Sequence, residues 1–452
     1  MKKFFKILAI SLTSIIILAL VAVAVVIWMV LTPKRLTPIL QKQADRYITC
    51  PYNIGEVELT FFSTFPQFGL RANDVELINP MEGAPCDTIA KMDNLVATID
   101  LSRLWESRAI QFDQFYLTNL DACIFINEEG KTNFDVFYLG PQEENPEPSD
   151  FRFGAVEIHN LKIKDCNLTY LDLFNKMSGK IEHFSSKIHL DADENKSDEI
   201  DNDGKTWSDI VPYEKVNLRD FYFEASRAEY QADSLQINAE IQDLTINLDM
   251  DLDGAVAEGQ LAVSAPKSFV QYAGDTYLKD DNLSIKAPFG FWADSMKVEV
   301  DKGRVSLNQF DIAVDGNVSL PENGDIVTDV NVAFEKWKVK EILAELPSSI
   351  TKMLTDLEVK GVLSADVKAK GIYNETSFPV ILANASLTNG EVDYVGFPYH
   401  LSKVLADVQA LVDMNSKSNS YVYINRLKAE TPRSSIDAQG SLLNILSDIN
   451  AD

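Results

Sequence analysis

The chain has 452 residues and a formal net charge of −27, with 46% hydrophobic residues. That length allows two or three domains or one elongated repetitive one, and the apolar content suffices for a core or a long apolar lining. The acidic balance argues against nucleic acid as a partner and against polybasic docking on anionic lipid, and it suits the soluble surface of an extracytoplasmic protein.

Residues 7–31 run without a charge, interrupted only by Ser11, Thr13 and Ser14. This is enough to cross a bilayer as one helix, which takes about 20 apolar residues. Lys2, Lys3 and Lys6 precede the run and Lys34 and Arg35 follow it, a slight bias that puts residues 1–6 inside and the bulk outside. Ala22-Val23-Ala24 resembles a signal-peptide cleavage site, yet the apolar run continues past it through Trp28 to Leu31. Signal-peptide cores are shorter, so the expectation is an uncleaved, single-pass signal anchor.

Thr37-Pro38 predicts a helix start, a capping residue followed by proline at the first helical position. Ile39, Leu40, Gln43, Ala44 and Tyr47 would share a face and cover the first edge of a sheet. After Pro51 the period becomes two, with Val57, Leu59 and Phe61 alternating.

A broken alternation then recurs. In Ile110, Phe112, Phe115 and Leu117 the phase slips at the polar pair Asp113-Gln114. The same eight-residue pattern spans 70–77, 90–97, 156–163, 216–223, 239–246, 305–312 and 422–429. Its interrupting pairs are Asn73-Asp74, Asp93-Asn94, His159-Asn160, Arg219-Asp220, Gln242-Asp243, Asn308-Gln309 and Asn425-Arg426. A slip of one residue turns an apolar set to the wrong face, and a β-bulge restores it while bending the strand. The pattern predicts a curved sheet with one apolar face, lined by Ile110, Phe112, Phe115, Leu117, Val216, Leu218, Phe221, Phe223, Leu307 and Phe310.

Asp253-Gly254, Asn323-Gly324 and Asn389-Gly390 each separate two alternating runs and predict antiparallel hairpins. Residues 141–150 read as an acidic, proline-rich loop and 191–209 as a second polar loop. Between 338 and 357 the period turns helical around Pro347, predicting a helix pair that caps or divides the sheet. Residues 400–414 fit either period, and their flanks favour a strand. The β pattern is still running at Gly440-Ser441-Leu442-Leu443, which predicts an open last edge and a chain that is part of a longer protein.

Little here suggests catalysis. Four histidines (His159, His183, His189, His400) form no metal-binding spacing, and no nucleophile elbow, phosphate loop or dinucleotide fingerprint occurs. Asp249, Asp251, Asp253 and Gly254 begin like a calcium loop, but Gln260 stands where the last ligand, a glutamate, belongs, and the interleaved Leu248, Met250 and Leu252 fit a strand entering a hairpin. Cys50, Cys86, Cys123 and Cys166 are too dispersed for a zinc site; Cys50–Cys86 is a candidate disulfide, and buried thiols are the alternative. No cofactor or metal is expected.

Two stretches carry a resemblance. Phe65-Pro66-Gln67-Phe68-Gly69-Leu70 leads into Asn73-Asp74-Val75-Glu76-Leu77, and 99–104 runs through 110–117 to Gly130-Lys131-Thr132-Asn133-Phe134. With the N-terminal anchor these resemble the AsmA family of bacterial envelope proteins, related to TamB-like and bridge-like lipid-transfer proteins. The later run from Gly361 through Phe378-Pro379 and Leu387-Thr388-Asn389-Gly390 to Gly440 looks like that family's C-terminal region. The resemblance implies an inner-membrane anchor, a periplasmic β-groove and a role in outer-membrane biogenesis through phospholipid movement, with no catalytic residues.

The expected architecture is mainly β: an N-terminal transmembrane helix, then an elongated, curved antiparallel β-groove with a few short helices. Expected segments are a cytoplasmic tail 1–6, an anchor 7–31, AsmA-like 32–175, middle β-repeats 176–335 and an incomplete AsmA-like 336–452. The expected function is non-enzymatic: an inner-membrane-anchored periplasmic protein whose groove carries phospholipid, with envelope or outer-membrane proteins as further partners. A scaffold for outer-membrane proteins is the alternative, and a signal-anchored hydrolase the remote one.

Overall fold

The structure, a computed structural model, describes residues 32–60, 68–99, 109–110, 112–136, 152–153, 160–194, 213–321, 324–447 and 450–451. The anchor 7–31, the loop 141–150, Phe61, His159 and Asn323 lie outside them. Among the described residues no helix is long and apolar enough to cross a membrane. The chain forms two compact units, Met1–Ser186 and Lys187–Asp452.

The first unit holds α1 (Pro33–Tyr47), β1 (Tyr52–Ile54), β2 (Val57–Thr60), β3 (Phe68–Ile78), β4 (Thr88–Ile99), β5 (Ala109–Ile110), β6 (Phe112–Ile126), β7 (Arg152–Phe153), β8 (Asn160–Asp172) and the start of β9 (Met177–Glu194). Helix α1 begins five residues before the expected Thr37-Pro38, with Thr32 as N-cap, Pro33 first and Pro38 inside it. Pro33 supplies the fixed φ of a first helical position. Thr37 instead accepts a hydrogen bond from the Val57 N–H (2.9 Å), tying helix to strand. The buried face of α1 is Leu36, Leu40 and Ala44, packed with Ile54, Val57, Ala72, Val75 and Met92. Ile39 and Tyr47 are exposed, contrary to the expected face. The Tyr52 hydroxyl also donates to Asp45 of the helix (2.6 Å). Burial first, then this carboxylate, raises the phenol to about 12.

Strand β3 pairs antiparallel with β1, β2 and β4, and β4 with β6. However, β6 and β8 run parallel, as do β5 and β7, a departure from the expected antiparallel groove. The long connection 127–159 allows the crossover that parallel pairing requires. Asn133, fully buried, explains the Gly-x-x-Asn turn. Its amide donates to the Cys123 carbonyl (2.9 Å) and accepts from the Phe125 N–H (2.8 Å). It thereby continues the ladder of β6 past the start of β4. Cys86 is bonded to Cys123, not to Cys50, with Cα atoms 6.3 Å apart; Cys50 and Cys166 are buried thiols. The pairing of Ala90 with Ala122 brings the segment before β4 alongside Cys123, a proximity that sequence spacing does not show.

The second unit is a meander. Strands β10 (Tyr213–Ala232), β11 (Ile237–Asp253), β12 (Val256–Tyr272), β13 (Asp275–Trp292), β14 (Lys297–Leu307), β15 (Phe310–Ser319) and β16 (Ile326–Lys338) each pair with the next. After helices α2 (Val339–Glu345) and α3 (Ser348–Met353) come β17 (Leu357–Tyr373), β18 (Val380–Tyr394), β19 (Phe397–Val412), β20 (Tyr421–Glu430), β21 (Ser435–Leu443) and the two-residue β22 (Asn450–Ala451). These also pair in order, all antiparallel. Among the described residues β10 does not return to pair with β21, so the sheet is open. Asp191–Glu194, expected in a loop, lie in β9.

The polar pairs divide into three kinds. Asp113-Gln114, Arg219-Asp220 and Asn425-Arg426 sit at register shifts, as expected of bulges. Asp74 and Asp243 take positive φ without a shift, and Asp93-Asn94 stays in register opposite Asn73 and Asn119. Asn308-Gln309 is the β14–β15 turn, not a bulge. Conversely Asn389-Gly390 is an irregularity inside β18, not a hairpin. A Cβ on Gly390 would come within 2.8 Å of the Val404 Cβ, so close strand approach explains the glycine. The Asp253-Gly254 hairpin, the helix pair and strand β19 are as expected.

Candidate functional site

Strand pairing aligns the alternation of the second unit into rows. Phe223, Ile246, Val263, Ile285, Val305 and Ile312 are successive cross-strand partners from β10 to β15. Their immediate chain neighbours form the adjoining row Glu224, Thr245, Ser264, Ser284, Ser306 and Asp311. Successive side chains of a strand point to opposite faces, so one face carries the apolar row and the other the polar row. From β15 to β20 the apolar row continues through Val314, Val332, Val367, Ala383, Ala410 and Val422. On the opposite face Asp366, Asn384, Gln409 and Tyr423 pair across β17 to β20.

Every one of these twelve apolar side chains is only half-buried. A layer packed over them would bury them fully. Helix α2 contacts β16 and β17, and α3 contacts β13. Side chains tie the helices to strand ends: Ser348 donates to Asp275 (3.1 Å) and Asn308 to Glu345 (3.3 Å). They hold one rim, where Trp337 lies 4.5 Å from the Phe310 ring and 4.1 Å from Phe334.

The bulges keep the two faces distinct. At Arg219-Asp220 the Asp220 N–H donates to Asp249 (2.9 Å) and Arg219 pairs with Asp251 (2.5 Å). At Asn425 the amide donates to Asp407 (3.2 Å), and the Gln114 N–H donates to Thr98 (3.1 Å). Each bulge thus finds a polar partner on the facing strand, and at Arg219 and Asn425 the polar side chain of the pair itself makes that contact.

The expected lining residues fall into separate places. Phe221 and Phe223 lie half-buried on β10, paired with Leu248 and Ile246 on the apolar face; Leu218, half-buried, pairs with Met250. Leu307 pairs with Phe310 at the β14–β15 turn, and Phe310 is buried in the aromatic corner, not open to solvent. In the first unit Leu117 packs against the core beneath α1, and Phe115 pairs with Ala97 and Leu161. Ile110 and Val216 are placed in β5 and β10 and Phe112 opens β6, but their side chains lie outside the described residues. Of the valine and alanine row of β15 to β20 only Val422 belongs to a pattern singled out in the sequence, and none was expected as lining. Its alternation is visible there; its alignment is not.

Other groups are structural. Burial pushes both the Cys50 and Cys166 thiols up, away from the reactive thiolate. His183 is raised by its hydrogen bond to Asp165 (2.7 Å) on an exposed surface. Asp249, Asp251 and Asp253 belong to β11, and no cluster able to hold a metal occurs among the described residues. What the second unit offers chemically is a wide apolar surface that little covers among the described residues.

No curated protein and no solved structure matches the chain. The model of the AsmA family matches residues 1–273, more than half of the sequence and including the stretch from 176 to 273 that carries none of the family motifs quoted above. The chain belongs to the AsmA family.

Proposed function

We propose that this protein is a non-enzymatic lipid carrier of the bacterial envelope, anchored by residues 7–31 in the inner membrane with its bulk in the periplasm. Its apolar face shields phospholipid acyl chains on their way to the outer membrane. The observation that carries this reading is the half-buried apolar row across β10 to β20, backed by a polar face. A sixteen-carbon chain exposed to water costs on the order of 13 kcal/mol at about 0.8 per methylene. A continuous apolar surface lowers that cost without holding any one position tightly. The twelve strands β10 to β21, at about 4.8 Å each, give a face roughly 50 Å across, longer than one acyl chain. Family membership supports an envelope role.

Native mass spectrometry of the purified full chain tests the reading. Phospholipid should co-purify, and Val332→Asp combined with Val367→Asp should remove it. The control is Ala333→Asp, one residue along on the opposite face. Equal lipid content in all three proteins would sink the proposal.

A second reading, a scaffold for outer-membrane proteins, draws on β21. Among the described residues its partner on one side is only the two-residue β22, which leaves Ser435–Gln439 exposed. Such an edge can pair with another strand. Photocrosslinkers on β21 that capture outer-membrane proteins, with the valine variants harmless to envelope integrity, would favour it over lipid carriage.

A further inference from the structure

Cross-strand charges in the second unit follow a rule with one exception. Three acid–acid partners occur in the registers: Glu229 with Glu240, Asp251 with Glu258, and Glu358 with Asp393. Each is relieved by a basic group. Arg227 reaches both Glu229 and Glu240, Arg219 reaches Asp251, and Lys360 and His400 reach Glu358 and Asp393. One cation–cation partnership occurs, Lys286 of β13 opposite Arg304 of β14. Like charges directly opposite destabilise a sheet. Yet neither cation has an ion pair among the described residues, in a chain with 68 acidic and 41 basic residues.

The surroundings supply a reason. Between Lys286/Arg304 and Phe289/Val300 the register shifts, and Lys302 takes φ 53° in the displaced segment. The strand partners beyond the two cations are Ala262 and Ala313, which fill no space. A dent of about 310 Å³ lies here, lined by Lys286, Lys302 and Arg304, by Asn247, Asp249 and Gln260, and by small or apolar residues including Pro288. Four carboxylates lie nearby, two of them against Lys302 itself, so that of the three cations only Lys286 and Arg304 are without an ion pair among the described residues. Asp249, on the wall of the dent, accepts the Asp220 N–H; Asp315 accepts the Lys302 N–H (2.5 Å); Asp311 is bonded to Ser306; and Asp301 lies 3.9 Å from Lys302.

We propose that this dent binds a compact oxyanion, a phosphoryl group or inorganic phosphate, between Lys286, Arg304 and Lys302. Arg304 and the two lysines supply charge-assisted hydrogen bonds and the two amides supply neutral donors. The site lies on the polar face, and its reading is independent of the apolar face behind it.

The test uses the full chain in detergent, titrated with inorganic phosphate against chloride at equal ionic strength. Phosphate should raise the melting temperature of the wild type, and Lys286→Gln with Arg304→Gln should weaken binding by roughly tenfold or more. Lys340→Gln with Lys336→Gln, the same charge change elsewhere, should leave binding intact. Ala313→Asp places a carboxylate beside Arg304, so it should raise the melting temperature without phosphate and abolish the phosphate response. Flotation with phosphatidylcholine vesicles, with and without phosphatidic acid, identifies the source. Recruitment by phosphatidic acid that needs Lys286 and Arg304 marks a lipid headgroup, and a response to inorganic phosphate alone marks a soluble one. The proposal is overturned if the wild type does not distinguish phosphate from chloride, or if the Lys286/Arg304 variant responds as the wild type does.

Discussion

The two units solve the problem of a one-sided sheet in opposite ways. In the first, α1 and the turn at Asn133 cover the strands, and two clusters of buried residues form around Val57 and around Leu77. In the second, the buried apolar residues among those described are six alanines with Val404 and Phe310, and they form no such cluster. The apolar side chains of its cross-strand rows stay half-buried. A chain that buries its apolar side chains under a helix in one region and leaves them uncovered in another has two kinds of apolar surface. The first stabilises the fold. The second is the surface on which the proposed lipid carriage rests.

The sharpest way to break this contrast is to shorten one side chain in each region. Phe125, 1% exposed, should cost about 3–5 kcal/mol as Phe125→Ala, with a cavity left in the first unit. Val332→Ala should cost well under about 1.5 kcal/mol, because its surroundings are already open. Urea denaturation compares the two, and equal costs would mean that the face is packed after all. Next in size is the Cys86–Cys123 bond, whose removal by Cys123→Ala should cost roughly 2–4 kcal/mol. Calorimetry should show the loss in the melting of the first unit alone.

Asn133→Ala should cost about 1–3 kcal/mol, since it leaves a buried N–H and carbonyl of β6 unpaired. Hydrogen exchange should then rise at Phe125. The smallest effect concerns pH. Asp172 is buried at the β8–β9 turn; burial pushes its carboxyl up, but hydrogen bonds from Asn175, Tyr170 and Phe174 outweigh that and hold it below the usual range. Its contribution is therefore complete above the unfolded-chain value of about 3.9 and disappears as pH falls through the lower folded value. Asp172→Asn should remove about 1 kcal/mol at neutral pH and flatten the acid limb of the stability curve below about pH 4.

The local structure of this protein was legible in its residues. Period-two alternation, Asp253-Gly254 and the helical interval around Pro347 specified strands, a hairpin and the helix pair, because those choices depend on neighbours a few residues away. Motif order was sufficient for the family. Pairing between distant residues was not legible. Cys86 reaches Cys123 only because β4 lies beside β6, and Asn389-Gly390 stays within a strand because β19 approaches it closely. The polar pair of Asp113-Gln114 is a bulge while the similar Asn308-Gln309 is a turn, a choice made by the partner strand. Above all, alternation told which residues share a face of one strand. Only the register of twelve strands decided that Val332 extends a continuous apolar row and that Lys286 meets Arg304 with no acid between them, since register is a property of two segments and not of either one.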